Sequence, residues 1–163
     1  MLFRSGRGFD PQEDGGRNAH PVTVISHQVW NDRYHRDPLI IGKTQILNGT
    51  PHTIVGIAPE NFFGTFVGYA IQFWVPVSMQ ERFEPGGYKL EDRGARWIEG
   101  FARLKPSVTV ERAQTELSSA ARRLEHDYPS TNRGRGITLL PLWQSPFNGA
   151  AVVLPGQIGR AHV

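Results

Sequence analysis

The apolar positions of residues 40–58 fall into two β-rich runs, IIGKTQIL and TPHTIVGIA, which meet at Asn48-Gly49. A two-residue type I′ turn needs positive φ at both central residues, and Asn-Gly supplies it. The pattern predicts a hairpin turning at that pair. PVTVIS (21–26) reads as a short strand, with Ser26 where an N-cap would stand before HQVWNDRYHR. Trp30 and Tyr34 lie one turn apart on a single helical face, and Asp37-Pro38 is expected to end that helix, giving a span of 27–36.

Further along, the Gly- and Phe-rich NFFGTFVGYA reads as loop, and IQFWVPVS (71–78) as a strand whose Pro76 suggests an edge or strand end. Residues 81–96 read as an exposed loop. RWIEGFARLK (96–105) alternates, with Trp97 and Phe101 as candidates for its buried face, and is expected to be a strand. A second helix is expected over 110–127. Thr109 can cap it; Val110, Ala113, Leu117, Ala120 or Ala121, Leu124 and Tyr128 recur at three- and four-residue steps, and Tyr128-Pro129 stops it. GITLLPL (136–142) reads as a final strand, and residues 1–20 as loop.

Composition narrows the class. The 163 residues suffice for one domain or two small lobes, and 39% hydrophobic with 20% charged residues is usual for a folded chain. Eighteen Gly and 12 Pro imply many turns and few helices. The net charge is +3, but the arginines are scattered among acids, which argues against a nucleic-acid surface. No cysteine is present, so disulfides, thiolate zinc sites and a cysteine nucleophile are excluded. No stretch reaches the ~18 apolar residues of a membrane span, and MLFRSGRGFD holds no apolar run of signal-peptide length.

Candidate chemistry is sparse. Ser26, His27, His35 and Asp37 supply triad residue types, but Ser26 lacks the G-x-S-x-G elbow and reads as a helix cap. His20, His27, His35, His52 and His126 form neither H-x-x-x-H nor H-E-x-x-H, so no metal pair falls on one helical face. DPQEDG (10–15) opens like a calcium loop through Asp10, Gln12, Asp14 and Gly15, but its twelfth position is Pro21 where a bidentate Glu is required. NRGRG (132–136) lacks the lysine and hydroxyl of a phosphate loop. No catalytic, cofactor-binding or metal residue is therefore expected. The aromatics Phe62, Phe63, Phe66, Phe73 and Trp74 are candidates either for core packing or for lining a ligand groove.

The order GRGFDPQED, PVTVISHQVWNDRY, DPLIIGKTQILNGTPHTIVGIAPENFFGT, FWVPVSM, RLKPSVTVERAQTEL resembles the periplasmic core domain of MacB-type ABC transporter permeases over about residues 6–155. The resemblance implies a two-lobed α+β fold: a porter-like βαβ lobe with a β-rich lobe inserted at roughly 40–95. The hairpin and 71–78 would belong to the inserted lobe, and 21–37 and 97–142 to the porter-like one. It implies a non-catalytic extracytoplasmic domain on the periplasmic side of the inner membrane, coupling cytoplasmic ATP-driven change to export or to an adaptor protein. The implied partners are the rest of the permease with its transmembrane helices and ATP-binding domain or subunit, a second copy in a homodimer, and a periplasmic adaptor. No cofactor and no nucleic acid are implied.

No Walker motif is present, so ATP hydrolysis is assigned elsewhere. Against the whole family pattern the chain reads as a fragment covering 1–157, with a strand and membrane helix expected before Met1. Without that strand, PVTVIS or GITLLPL is expected to present an unpaired edge. Ile158–Val163 (IGRAHV) match the translation of a common sequencing-adapter read and are expected to be an artefact. The alternative function is a free periplasmic binding module using the aromatic loop 61–74.

Overall fold

The computed structural model describes residues 4–64, 69–84, 86–98, 100, 102–141 and 144. The chain divides into two compact units, Met1–Glu91 and Asp92–Val163. It is a mixed α+β protein, with one sheet and several helices.

The first unit is built on a five-stranded sheet. Its centre is β4 (Thr50–Ile57). On one side β4 pairs in parallel with β2 (Val22–Ile25), which pairs antiparallel with β5 (Phe73–Trp74). Antiparallel to β4 run β3 (Thr44–Leu47), along its first half, and β1 (Ser5–Gly6), along its end. The hairpin forms as expected: Leu47 pairs with Thr50, and Asn48 and Gly49 hold φ of 45° and 74°. A bulge between Thr23 and Val24 shifts the β2–β4 register by one residue.

Two differences from the sequence reading follow. β2 is flanked on both sides, so PVTVIS is not an exposed edge. It also shares one sheet with the hairpin and β5, whereas the expected lobes of 40–95 and the remainder set them apart. A parallel β2–β4 pair needs a crossover, and α1 with the loop after it provides one.

Both faces of the sheet carry core. Ile25, Ile54 and Ile57 pack with Val29 and Trp30 of α1 (His27–Asp32) and with Ile40, while Tyr34 and Phe73 border the cluster. Val24, Val55 and Ala58 form a second cluster bordered by Phe9, Val22, Phe62 and Trp74. Each fully buried isoleucine contributes about 1.5–3 kcal/mol.

Helix α1 is shorter than 27–36. Its cap is Arg33, after which His35 and Arg36 hold φ of 49° and 59°, a left-handed pair in which the helix cannot continue. The Trp30 indole N–H donates to the Asp37 carbonyl at 2.9 Å and fixes that reversal.

The strand expected at 71–78 covers only Phe73–Trp74. Pro76 has no N–H to offer a ladder, and it opens a 3-10 turn over Val77–Met79 that runs into α2 (Gln80–Phe83). Part of the expected 81–96 loop is therefore helical. Residues 11–14, also read as loop, form a 3-10 turn capped by Asp10.

In the second unit, α3 (Val110–Asp127) starts where Thr109 accepts a hydrogen bond from the Arg112 amide at 3.3 Å. It ends at Tyr128, and α4 (Pro129–Asn132) follows. Of the expected apolar face, Ala113 and Ala121 are buried, but Val110, Leu124 and Tyr128 are more than a third exposed. Neither expected strand of this unit forms among its described residues. Within 136–141 two backbone groups bond instead to a side chain: the Gln114 amide donates to the Ile137 carbonyl at 2.7 Å and accepts from the Leu139 amide at 2.8 Å. Phe66, Phe101, Leu142 and residues 158–163 lie outside the described residues.

Candidate functional site

The triad residue types are dispersed into structural roles. Ser26 is buried, and its hydroxyl accepts from the Val29 amide at 3.1 Å, which makes it the α1 cap. His27 stands edge-on to Trp30, with ring centroids 5.5 Å apart. His35 is exposed in the left-handed turn. The Asp37 carboxylate accepts from the Leu39 amide at 2.8 Å and pairs with Lys43, and the Lys43 hydrogen bond, then the Leu39 one, holds its pKa below the usual carboxylate value. Among the described residues no hydrogen bond joins any two of these four.

His52 lies fully buried in β4. Its Nδ1 is 2.9 Å from the Thr50 carbonyl, which requires the proton on Nδ1, and its Nε2 has no hydrogen-bond partner among the described residues. The ring packs against Phe83 of α2, 5.6 Å between centroids. His126 is exposed beside Asp127. No three of His, Cys, Asp and Glu stand as a metal-binding group among the described residues.

What the first unit does contain is a clasp. Arg7 donates two hydrogen bonds to the Glu13 carboxylate, at 2.7 and 2.9 Å, and the Asp10 amide donates a third at 2.7 Å. The Arg7 hydrogen bonds, more than any other contact, hold the Glu13 pKa down at about 2. The Ser78 hydroxyl reaches back to the Glu13 carbonyl at 2.7 Å. One turn on, Glu81 of α2 takes hydrogen bonds from Arg17 and Asn18, which hold its pKa at about 2. Of the residues that open like a calcium loop, Asp10 instead accepts from the Gln12 amide at 3.0 Å, and the neighbouring Glu13 faces the Arg7 guanidinium. A D-x-x-E capping box at Asp10–Glu13 was the sequence signal for this turn, and the loop reading of 1–20 missed it.

An open groove of about 490 Å³ lies beside the hairpin. Leu47, Ile71, Phe73 and Phe83 give it apolar walls, and Arg33 and Asn48 stand at its polar margin. The Arg33 guanidinium lies 5.8 Å from the Phe73 ring centroid. The hairpin tip is tied to α2 by the Asn48 amide, which donates to the Arg82 carbonyl at 3.2 Å.

The aromatic set at 61–74 divides. Phe62 packs on Trp74 at 5.3 Å in the second core cluster, and Phe73 borders the first. Phe63 is 57% exposed. NRGRG serves as a turn after α4, where the Gly134 amide donates to Glu125 at 2.7 Å.

Comparison with known proteins gives a family. The profile of the MacB-like periplasmic core domain matches residues 2–120. Among solved structures, the periplasmic region of MacB from Actinobacillus actinomycetemcomitans is similar, with 15% identity and a TM-score of 0.47. The match covers 80% of this chain and 51% of that one, so the chain spans about half the length of that relative. No curated protein matches the chain.

Proposed function

Because the chain belongs to the MacB-like periplasmic core domain family, we propose that it works as a non-catalytic, force-transmitting segment of an ABC transporter permease. In this reading it stands on the periplasmic side of the inner membrane. It receives a conformational change driven by ATP hydrolysis in a cytoplasmic domain or subunit and passes it to export or to an adaptor protein. The permease acts as a homodimer.

The observation that carries this reading is the family match over residues 2–120, most of the chain. The local chemistry supports it. A β4 paired along both edges is stiff, ion pairs at Glu13 and Glu81 tie down the segments around the sheet, and a stiff element transmits displacement instead of absorbing it. The polar groups that could have served catalysis are committed to caps and turns. The reading as a free binding module is weaker, because Phe62 and Trp74 of the aromatic loop are occupied with packing.

Deleting residues 4–141 from the whole permease tests the proposal. ATP hydrolysis is expected to persist while export in cells is lost. Export undiminished by the deletion would contradict a transmitting role.

A further inference from the structure

We propose that Asn48-Gly49 is a site of spontaneous deamidation, and that the reaction releases the hairpin tip from α2. This chemistry needs an asparagine followed by a residue whose backbone nitrogen is unshielded. Of the asparagines among the described residues, Asn18, Asn31, Asn61 and Asn132 precede Ala19, Asp32, Phe62 and Arg133. Asn48 alone among them precedes glycine.

Geometry adds three conditions that sequence does not give. Both residues of the turn are exposed. Among the described residues, no atom beyond its chain neighbours lies within 4 Å of where a Gly49 side chain would begin, so nothing packs over the turn there. The Gly49 amide donates no hydrogen bond among the described residues, so losing its proton breaks none.

The step balances without any added reagent but water. Base removes the Gly49 amide proton, and the nitrogen attacks the Asn48 Cγ. The Cγ–Nδ2 bond breaks, Nδ2 leaves as ammonia, and a five-membered succinimide remains. Water then opens one of its two carbonyls, giving aspartate or isoaspartate. There is no oxidation or reduction.

The consequence is local and specific. The leaving nitrogen is the one that donates to the Arg82 carbonyl. A carboxylate oxygen in its place faces that carbonyl as acceptor against acceptor. Isoaspartate also adds a methylene to the backbone of a two-residue turn whose register holds Leu47 opposite Thr50. Asn48 and Phe83 both line the groove, so its wall loosens where His52 meets Phe83.

The full chain is incubated in mildly alkaline and mildly acidic buffer and mapped by mass spectrometry, with an isoaspartate-specific label. The peptide containing Asn48 is expected to gain aspartate and isoaspartate, faster in the alkaline arm. Asn48→Gly keeps a pair suited to the turn and has no amide to lose, so its peptide stays unchanged. The sequence holds one other Asn-Gly pair, Asn148-Gly149, which serves as an internal reference. If Asn48 persists while the Asn148 peptide or the urea-unfolded chain converts, the folded turn protects it and the proposal fails. For the release, exchange of the Glu84 amide, which closes α2 onto the Gln80 carbonyl, is expected to rise several-fold in Asn48→Asp. Unchanged exchange there would refute the release.

Discussion

Gly6 and Gly56 stand opposite each other in the β1–β4 ladder, and neither leaves room for a side chain. A Cβ on Gly56 would lie 2.1 Å from the Arg7 carbonyl oxygen, and one on Gly6 would lie 2.3 Å from the Val55 carbonyl oxygen. Both obstacles are backbone, so relief means moving β1 itself. Gly6 also holds a φ of 71°, which other residues rarely adopt. Gly56→Ala is therefore expected to cost about 1–3 kcal/mol and to loosen β1. Gly136→Ala, where nothing lies within 4 Å, should leave the melting temperature nearly unchanged. Thermal unfolding of the two variants checks the contrast, and equal losses would show that β1 is not held this closely.

The clasp gives stability a pH dependence with a definite sign. Glu13 and Glu81 have folded pKa values of about 2, below the ordinary 4.5, chiefly through hydrogen bonds from Arg7 and Arg17 respectively. Depressed carboxylates stabilise fully above the ordinary value, and that contribution is lost as pH falls from about 4.5 through about 2. Denaturant midpoints should therefore fall across this window. In Glu13→Gln the fall should be smaller, from a starting stability already reduced by about 1–3 kcal/mol.

Removing the Ser26 hydroxyl tests the cap against the nucleophile. Ser26→Ala should cost about 1 kcal/mol, and Ser26→Asp should recover most of it by capping in the same way. Hydrolysis of generic esters by the parent chain should equal buffer background. A hydrolysis rate that Ser26→Ala abolished would overturn the capping assignment.

His52 offers a substitution that goes the other way. His52→Leu removes a buried Nε2 that has no partner among the described residues and gives up one hydrogen bond to a half-buried carbonyl that water can reach. The orphan costs about 1–3 kcal/mol and the lost bond about 1, so the variant should be as stable as the parent or more so. Chemical denaturation reads the sign.

How much of this was legible depends on whether the signal was local. The Asn48-Gly49 turn, the Ser26 and Thr109 caps and the end of α3 at Tyr128-Pro129 rest on residues within a few positions of each other, and all appear where expected. The close approach of Gly6 and Gly56 joins residues fifty positions apart, and no periodicity reports it. Period-two alternation at 96–105 states which faces a strand would have but not whether a partner strand exists. At Ile137 and Leu139 a glutamine side chain took two backbone bonds that a ladder would have used. Trp30 and Tyr34 do share a face toward the core, yet the helix stops between them, because the Trp30 indole bond to Asp37 favours the reversal. The groove was legible only through Phe73, one of the aromatics weighed for a ligand groove, since its walls come from four separate segments.

The central claim is that this segment faces the periplasm as part of a permease, and the cysteine-free sequence gives that claim a direct test. Lys105 is exposed, so Lys105→Cys places one thiol on the segment within the whole permease, once any cysteines elsewhere in it are replaced. Cells with a permeabilised outer membrane are then treated with a maleimide that cannot cross the inner membrane. The account predicts full labelling of intact cells, undiminished relative to lysed ones. Labelling that appears only after the inner membrane is broken would contradict it.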